Sequence, residues 1–326
     1  MDLHYAVPHV SPTKNREPRR ELIRGRANLR PEHRGNVVTI GAFDGVHLGH
    51  QAIMRQVVAK AIQLKLPSVA VIFEPLPREY FQQRVARIQP FREKVLALFA
   101  QGIDRVLCLR FDKQLSTVSP ADFVHGLLVQ ALGTRYLVVG DDFRFGNKRA
   151  GGVGLLKAEA ALHGFEVASA DTVEVDGERV SSSRIRTALA EGRFADAERL
   201  LGRPFAIAGR VRPGEQLGRE LGVRTANVSL RRLHSPISGV FAVTVSAREF
   251  QAHPAVASIG YRPTVNRLDE PLLEVHLLDY SGCLYGKHIR VEPKRKLREE
   301  EHFTSLDALR EQMEADIQQA RDLFGI

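Results

Sequence analysis

The fold of the amino-terminal half is decided by the stretch Val37-Val-Thr-Ile-Gly-Ala-Phe-Asp-Gly-Val-His-Leu-Gly-His50. Residues 37–40 form an apolar run typical of a buried strand, and the sequence from Gln51 onward is helix-like. Between them, Gly41, Gly45 and Gly49 allow a tight turn. A strand, a glycine-rich turn and a helix amino terminus form a phosphate cradle, because free N–H groups and the positive end of the helix dipole face the anion.

Two histidines lie where this turn meets the helix. His47 and His50 are three residues apart, so both imidazoles can point at one place. Imidazole donors can follow the charge that builds on a transferring phosphoryl group. The alternative is a structural turn with two surface histidines, but His-x-Gly-His after Gly-x-Phe-Asp-Gly is more specific than a lone glycine-rich loop. We therefore predict a nucleotide site that also includes Phe43 and Asp44 of the turn.

Length and charge limit the organisation of the chain. With 326 residues, two domains are expected, and a formal net charge of +9 fits polyanionic ligands. Much of the excess lies in the first 34 residues, where seven arginines occur. We expect residues 1–21 to form a flexible, solvated basic leader, although a basic tail can also contact RNA or a membrane.

Cysteine content and hydropathy indicate the compartment. Cys108 and Cys283 are far apart and lack Cys-x-x-Cys spacing, which argues against a disulfide framework or a zinc site and fits a reducing cytoplasm. No apolar stretch reaches the ~18 residues of a membrane helix, and the amino terminus lacks an apolar secretory core. We expect a cytoplasmic protein with no membrane partner and no nucleic-acid partner. The oligomeric state stays open, with a homo-oligomer among the options.

Short apolar runs alternate with helical patterns up to about residue 200. The predicted strands are residues 37–40, 68–73, 105–109, 136–140 and 166–170, and the predicted helices are residues 51–64, 92–101, 120–132 and 153–163. Nearly continuous apolar strands separated by helices predict an α/β domain, with a Rossmann-like parallel sheet, over residues 22–202. Ligands of such sheets bind beyond the carboxyl ends of the strands, where the glycine turn lies.

The pattern changes after Gly202, where β-type runs follow one another without helices. The predicted strands are residues 205–211, 240–245, 255–259, 272–278 and 287–291. Turn signals separate them, which favours an antiparallel β-barrel over residues 203–326. One amphipathic helix over residues 305–324 ends the chain, and residues 183–201 are predicted to form two short linking helices.

Further polar clusters follow the predicted strands or begin helices of the amino-terminal half. They are residues 73–81, 92–94, 140–146 and 179–186. The last combines hydroxyls at a helix start with arginines, which predicts a second phosphate-binding element made of Arg179, Ser182, Ser183 and Arg186. Singly, these clusters could be a turn or a helix cap. Their shared placement at one edge of the sheet favours a site.

A second site is indicated in the carboxyl-terminal half. Residues 209–219 form a strand followed by a basic loop that contains Gly214 and Arg219. Thr225 and Asn227 then place two oxygen-bearing side chains on one face of an extended segment. Such a pair suits Mg²⁺, which takes few protein oxygens and completes its shell with phosphate and water. The alternative is a polar edge strand.

Glu274 is the most informative residue of this half. It lies inside the apolar run 272–278, and a buried carboxylate is costly unless it is used. A positioned glutamate can take the proton from an attacking hydroxyl. A salt-bridged structural glutamate is the alternative.

The amino-terminal motifs, over about residues 22–201, resemble the nucleotidyltransferase module of the bacterial bifunctional riboflavin kinase/FAD synthetase family. The resemblance lies in the patterns GxFDGxHxGH, FEPxPxEYF, VGxDFxFG and SSTxIR, with Ser183 in place of threonine and Ala42 in place of a common asparagine. It implies transfer of AMP from ATP to FMN with release of pyrophosphate. His47 and His50 would stabilise the pentacoordinate phosphorus, and Arg179, Ser182 and Ser183 would hold the ATP phosphates. Asp142 and Phe143 would line the nucleotide or flavin pocket.

The carboxyl-terminal half is similar to the riboflavin kinase module over residues 203–324. The supporting segments are residues 224–227, 258–264, 273–279, 284–287 and 297–300. The resemblance implies that Thr225 and Asn227 bind Mg²⁺–ATP, that Glu274 deprotonates the ribityl 5′-hydroxyl, and that Arg298 contacts flavin or phosphate. Arg224 replaces the usual proline and so removes a rigid approach to Thr225, and Phe241 replaces a common tyrosine.

Together these features predict a two-step enzyme with Mg²⁺ as cofactor and ATP, riboflavin and FMN as substrates. The barrel would phosphorylate riboflavin to FMN, and the first domain would adenylate FMN to FAD. One rival hypothesis is a nucleotidyltransferase acting on another small acceptor, which leaves Thr225, Asn227 and Glu274 unexplained. The other is a non-catalytic flavin- or RNA-binding regulator, against which His47, His50 and Glu274 argue.

Overall fold

The computed structural model describes residues 20–213, 223–230, 234–261 and 271–326. Contacts divide the chain into two compact units. The sheet unit comprises the described residues up to Val85 together with Gln89–Val180, and the barrel unit comprises Ala86–Ile88 together with the described residues from Ser181 to Ile326. Among the described residues, none of the helices combines the length and apolarity needed to cross a membrane.

The sheet unit contains a six-stranded sheet, a two-stranded hairpin and six α-helices within its described residues. Its elements are β1 (Glu21–Arg24), β2 (Asn36–Ile40), α1 (Leu48–Leu64), β3 (Ser68–Glu74), α2 (Pro77–Tyr80), α3 (Phe91–Ala100), β4 (Arg105–Arg110), α4 (Lys113–Thr117), α5 (Pro120–Phe123), β5 (Thr134–Gly140), α6 (Val153–His163), β6 (Glu166–Ala170) and the hairpin β7 (Glu174–Val175) and β8 (Glu178–Arg179). Short 3₁₀ helices occupy Arg26–Asn28, Pro31–His33 and Asn147–Arg149.

All neighbouring strands of the six-stranded sheet are parallel, in the order β1-β4-β3-β2-β5-β6. Alternate side chains enter separate cores on the two faces; in β2, Val38 and Ile40 join one and Val37 the other. This confirms the predicted parallel sheet. The strand order reverses between β2 and β5, so the glycine turn that leaves β2 lies at the switch point where ligands of such sheets bind.

Strand β1 was not predicted, and it corrects the boundary of the basic leader. Glu21, placed in the leader by the prediction, begins this strand, and Glu21–Arg24 pairs in register with residues 105–108 of β4. Arginines that follow are also engaged: Arg24 lies over the Phe91 ring at 5.4 Å, and Arg30 pairs with Glu21 at 3.0 Å. Residues 1–19, the rest of the predicted leader, lie outside the described residues.

The helix predicted over residues 120–132 changes its hydrogen-bond pattern partway. Ser119 caps it, accepting a hydrogen bond from Asp122 N at 3.1 Å. After α5, residues Val124–Ala131 continue as a π-helix, a rare form whose wider turns the apolar periodicity does not predict.

The barrel unit contains a closed antiparallel barrel, as predicted, and three helices within its described residues. Its elements are α7 (Ser182–Ala190), α8 (Phe194–Leu201), β9 (Ile207–Arg212), β10 (Ala226–Ser229), β11 (Gly239–Ser246), β12 (His253–Tyr261), β13 (Pro271–Leu277), β14 (His288–Arg298) and α9 (Leu306–Phe324). The strand order is β10-β13-β12-β11-β14-β9. Helix α9 packs on the outside of the barrel, where Ala320 and Ile317 meet Val240 and Val256.

The contacts divide the chain earlier than the predicted boundary between residues 202 and 203. Helices α7 and α8 belong to the barrel unit, and Phe194 of α8 contacts Phe241 edge to face with ring centroids 5.8 Å apart. The Phe241 ring is fully buried.

Candidate active sites of the two units

The turn after β2 is held in a conformation that few sequences adopt. A Cβ added to Gly41 would lie 2.8 Å from the Phe43 ring, so the turn needs glycine there. Phe43 and Val46 have positive φ values of 46° and 40°, and Gly45 has φ 90°. Positive φ is uncommon for residues other than glycine. These dihedrals lead the chain from the end of β2 to the amino terminus of α1.

His47 is the amino-terminal cap of α1. Its Nδ1 accepts a long hydrogen bond of 3.4 Å from the backbone N–H of His50, and the two rings stack with centroids 3.6 Å apart. Gly49 makes room for this arrangement, because a Cβ there would lie 3.2 Å from His47 Cε1. Since Nδ1 accepts, a neutral His47 ring carries its proton on Nε2 and can donate from that atom.

His50 is held as a neutral imidazole. Burial lowers its pKa well below the ordinary value, and electrostatic interactions with His47 and Lys94 lower it further. Its Nδ1 is buried without a hydrogen-bond partner among the described residues. A buried polar atom without a partner is costly, and a polar ligand can satisfy this one.

Two buried charged side chains hold the glycine turn. Lys94 of α3 is fully buried, and its Nζ donates to the Ala42 carbonyl at 3.1 Å. Asp44 is also buried, and its Oδ1 accepts from the Gln89 N–H at 3.1 Å. Asp44, predicted to bind nucleotide, therefore anchors the turn. The sequence singled out residues 92–94 as a cluster but did not predict that Lys94 supports the turn.

Arg179, Asp141 and Asp142 form a charged cluster beyond β5. Arg179 Nη2 lies 2.9 Å from Oδ1 of both aspartates, and Thr172 donates to Asp141 Oδ2 at 2.6 Å. The Thr172 hydroxyl and then Arg179 lower the pKa of Asp141 below its usual range. Arg179, predicted to hold phosphate, is thus oriented by carboxylates, one of them Asp142 of the predicted pocket. Phe143, beside them, stacks on Phe145 with centroids 5.7 Å apart.

The serine-rich segment begins α7, in the barrel unit. Ser181 is the cap and accepts from Arg184 N at 3.2 Å, so Ser182 and Ser183 occupy the first helical turn. Arg186 Nε donates to the Ala86 carbonyl at 2.8 Å. This bond ties Arg186, predicted to bind nucleotide, to the main chain.

The second site is a cavity of about 570 Å³ on the outer face of the barrel, beneath the residues that lead into α9. Thr225, Ser258, Glu274, His276 and Arg298 are among its lining residues. Glu274 pairs with Asn227 of β10 on one side and with Ser258 of β12 on the other. The predicted kinase residues are therefore brought onto one surface. Gly214 and Arg219 lie outside the described residues.

Glu274 is half-buried, which corrects the expectation that it is buried in an apolar strand. Side chains of β13 alternate, so that Leu273 and Val275 are buried in the barrel while Glu274 and His276 face the cavity. Period-two alternation places every second side chain outside. Glu274 is therefore not a fully buried carboxylate, and its place in the cavity is what supports a role for it.

Asn227 and Thr225 offer oxygen atoms suited to Mg²⁺. Asn227 is buried, and its Oδ1 has no hydrogen-bond partner in the described part of the chain. Thr225, two residues earlier, reaches the cavity. Hard cations such as Mg²⁺ prefer oxygen ligands, so this donor set fits the predicted metal.

Arg298, predicted to contact flavin or phosphate, makes a buried ion pair across the barrel surface. Its Nε donates to Asp316 Oδ1 at 3.0 Å and its Nη2 donates to Asp316 Oδ2 at 2.9 Å. Gln312 also donates to Asp316, at 3.0 Å, and Arg298 lies 5.5 Å from the Phe303 ring centroid. The sequence did not predict Asp316, which lies in the polar pattern of α9. The arginine is thereby fixed at the cavity wall.

Two family models match the chain, one for each half. The model described as FAD synthetase matches residues 29–184, and the model described as riboflavin kinase matches residues 201–324. These two matches, one to the parallel sheet with its glycine-and-histidine turn and one to the barrel with its cavity, define a two-domain enzyme of flavin nucleotide synthesis.

Curated relatives match along almost the whole chain. The bifunctional riboflavin kinase/FMN adenylyltransferase of Pseudomonas fluorescens is 50% identical, over 93% of this chain and 97% of its own. The protein of the same name from Escherichia coli strain K12 is 45% identical, over 94% and 98%. The chain belongs to this family, and it combines a riboflavin kinase domain with an FAD synthetase domain.

A solved structure shares this fold. It is described as a macrolide-efflux protein from Streptococcus pneumoniae, with a TM-score of 0.75, 28% sequence identity and coverage of 92% of this chain and 98% of that one.

Proposed function

We propose that the sheet unit adenylates FMN at the glycine turn and that His47 and His50 stabilise the reacting phosphates. An oxygen of the FMN phosphate attacks the α-phosphorus of ATP, and the bond from that phosphorus to the oxygen of the β-phosphate breaks to release pyrophosphate. Negative charge grows on the oxygens of both groups, where N–H donors are most effective. The observation that carries this proposal is the buried Nδ1 of a neutral His50, which has no hydrogen-bond partner within the described ranges, beside the stacked ring of His47.

The remaining predicted residues would orient the substrates. The Gly41 amide already donates to the Val71 carbonyl at 3.1 Å. The phosphates would instead meet the amide of Gly49 in the first turn of α1, and Arg179 would add charge from its place beside Asp142. Phe143 would supply an aromatic wall. Because these groups bind and position rather than react covalently, the rate enhancement would come from orientation and electrostatics.

We also propose that the barrel unit phosphorylates riboflavin in the cavity, with Glu274 as the general base. Glu274 would take the proton of the ribityl 5′-hydroxyl, the oxygen would attack the γ-phosphorus of ATP, and ADP would leave. Thr225 and Asn227 would hold Mg²⁺, which when bound neutralises phosphate charge. Arg298, fixed by Asp316, would contact the flavin or a phosphate.

Reciprocal variants test both assignments. Wild-type protein incubated with riboflavin, ATP and Mg²⁺ should yield FMN and then FAD on chromatography. The double variant His47→Ala/His50→Ala should accumulate FMN without FAD. Glu274→Gln should reduce FMN formation by about 10²–10⁴-fold, the usual contribution of a general base, yet still convert supplied FMN. Each variant leaves the other site intact and so controls for folding.

Two outcomes would contradict the assignments. FAD formation at the wild-type rate in the histidine variant would remove the imidazoles from the reaction, and normal riboflavin phosphorylation by Glu274→Gln would exclude it as the base. Thr225→Val should raise the Mg²⁺ concentration needed for half-maximal kinase rate without changing the adenylylation step.

We further propose a cytoplasmic location, supported by two cysteines without disulfide spacing. Light scattering would test whether the protein forms a homo-oligomer.

A further inference from the structure

His276 is a cavity residue with no role in the function proposed above. It lies on β13 two residues after Glu274, and both side chains face the cavity. Its Nδ1 lies 2.9 Å from the carbonyl oxygen of Arg224. A carbonyl oxygen can only accept, so Nδ1 must carry the proton and donate it.

The strand register shows what this bond holds. Ala226 pairs with Val275 and Asn227 pairs with Glu274, so Thr225 falls opposite His276 when the ladder is extended by one residue. Side chains directly opposite each other in an antiparallel pair share a face. Strand β10 begins at Ala226, so Thr225 precedes the ladder. The His276 bond therefore fixes the main chain immediately before Thr225, where regular strand pairing has not begun.

The residue whose carbonyl accepts this bond is Arg224. Arg224 is exposed, and it lacks the ring with which a proline would fix φ. A hydrogen bond from a residue on the strand of Glu274 restrains the same peptide by another route. It also links the Thr225 segment to the strand of the predicted base, so that the two elements keep a fixed separation.

We infer that His276 is a positioning residue of the riboflavin kinase site, which fixes Thr225 for Mg²⁺–ATP through the Arg224 carbonyl. This inference rests on the proposed role of Thr225. It assigns to His276 no contact with the transferred phosphoryl group. This role needs a hydrogen-bond donor at the position of Nδ1. A rigid residue at position 224 should reduce the effect of losing that donor on the binding of ATP.

The test uses the full-length chain and steady-state kinetics of riboflavin phosphorylation. His276→Phe keeps a ring and removes the donor, whereas His276→Asn places an amide N–H near the position of Nδ1. We expect His276→Phe to raise the KM for ATP about three- to tenfold, the fold-change that loss of one such hydrogen bond gives. The KM for riboflavin and the adenylylation of supplied FMN should not change, and His276→Asn should restore the KM for ATP.

A double variant provides the decisive comparison. Arg224→Pro should lower the effect of His276→Phe to less than about twofold, because proline restrains the peptide that the histidine no longer holds. His253→Phe is the matched control, since His253 contacts the Leu278 carbonyl at 2.7 Å elsewhere in the barrel. That variant should leave the KM for ATP unchanged.

Two results would overturn the inference. One is an unchanged KM for ATP in His276→Phe, and the other is an equal effect of this variant with Arg224 and with proline at position 224. Thr225→Val separates these results from failure of the proposed function. If Thr225→Val leaves kinase activity unchanged, the ATP site is assigned wrongly. If Thr225→Val loses kinase activity while His276→Phe keeps the wild-type KM for ATP, only the role of His276 is excluded.

Discussion

Replacing Asp316 by alanine should destabilise the barrel unit strongly. Arg298 and Asp316 have side-chain exposures of 16% and 3%, and the arginine makes three hydrogen bonds to the carboxylate, at 3.0, 3.1 and 2.9 Å. Removing one member of a buried pair costs about 3–5 kcal/mol, because the remaining charge stays buried without compensation. Asp316→Ala also removes the acceptor of Gln312.

Calorimetry and the two activity assays can measure this effect in each unit. A change of 1 kcal/mol shifts Tm by about 2–4 °C in a domain of this size, so the barrel transition should fall by roughly 6 °C or more. The transition of the sheet unit and the adenylylation of FMN should stay close to wild type. Kinase activity should also be reduced at temperatures where the barrel unit is still folded, because Arg298 loses the partner that orients it at the cavity wall.

Two controls separate buried charge from surface charge and stability from activity. The pair Arg310–Glu314 is on the same helix, at 3.1 Å but with exposures of 60% and 61%. Glu314→Ala should change stability by less than about 0.5 kcal/mol. The double variant Arg298→Met/Asp316→Leu should regain stability, since apolar replacement of a buried pair is often neutral or better, yet remain a poor kinase. A loss of less than about 1 kcal/mol in Asp316→Ala, with normal kinase activity, would refute this reasoning.

Two further predictions concern the glycine turn. The pKa of His50 is lowered in the folded protein, whereas in the unfolded chain this histidine binds a proton near pH 6.5. Protonation therefore favours the unfolded chain, and His50 lowers the free energy of unfolding as the pH falls below that value. His50→Gln should therefore lose less stability between pH 7.5 and pH 5.5 in urea unfolding than wild type or the exposed-site control His125→Gln, and an equal loss would contradict the prediction. Gly41→Ala should cost about 1–3 kcal/mol, because its Cβ would overlap the Phe43 ring, and should reduce FAD formation but not FMN formation; normal rates of both would show that the turn tolerates a side chain.

The elements that could be predicted from the sequence are those whose signals are local. Four predicted strands of the sheet unit have apolar runs long enough to be buried on both faces, and helix α6 ends at Gly164 in the left-handed conformation, as its sequence indicates. The glycine turn was also predictable, because its glycines and histidines are close in sequence. Most of the candidate site residues could likewise be predicted, because they belong to short motifs that resemble those of a known family.

Strand β1 could not be predicted in this way. It has four residues, of which only Leu22 and Ile23 are apolar, and arginines surround it in the sequence. Its pairing partner is β4, about 84 residues further along the chain, as the pairing of Glu21 with Arg105 shows. The signal for such a strand lies in the partner edge and not in the strand itself. Composition alone therefore assigned its first residue to a solvated leader.

The residues that support the sites were missed for a related reason. Asp316 belongs to the polar pattern of an amphipathic helix, and His276 alternates with apolar residues like any outward-facing strand residue. Only the packing of α9 on the barrel brings Asp316 to Arg298, and only the register of β10 against β13 brings His276 to Arg224. A sequence motif contains the side chains that contact the substrate, whereas the groups that hold those side chains in place are brought there by tertiary contacts. Positioning residues of the two reactions should therefore be sought along strand registers and at helix–barrel contacts.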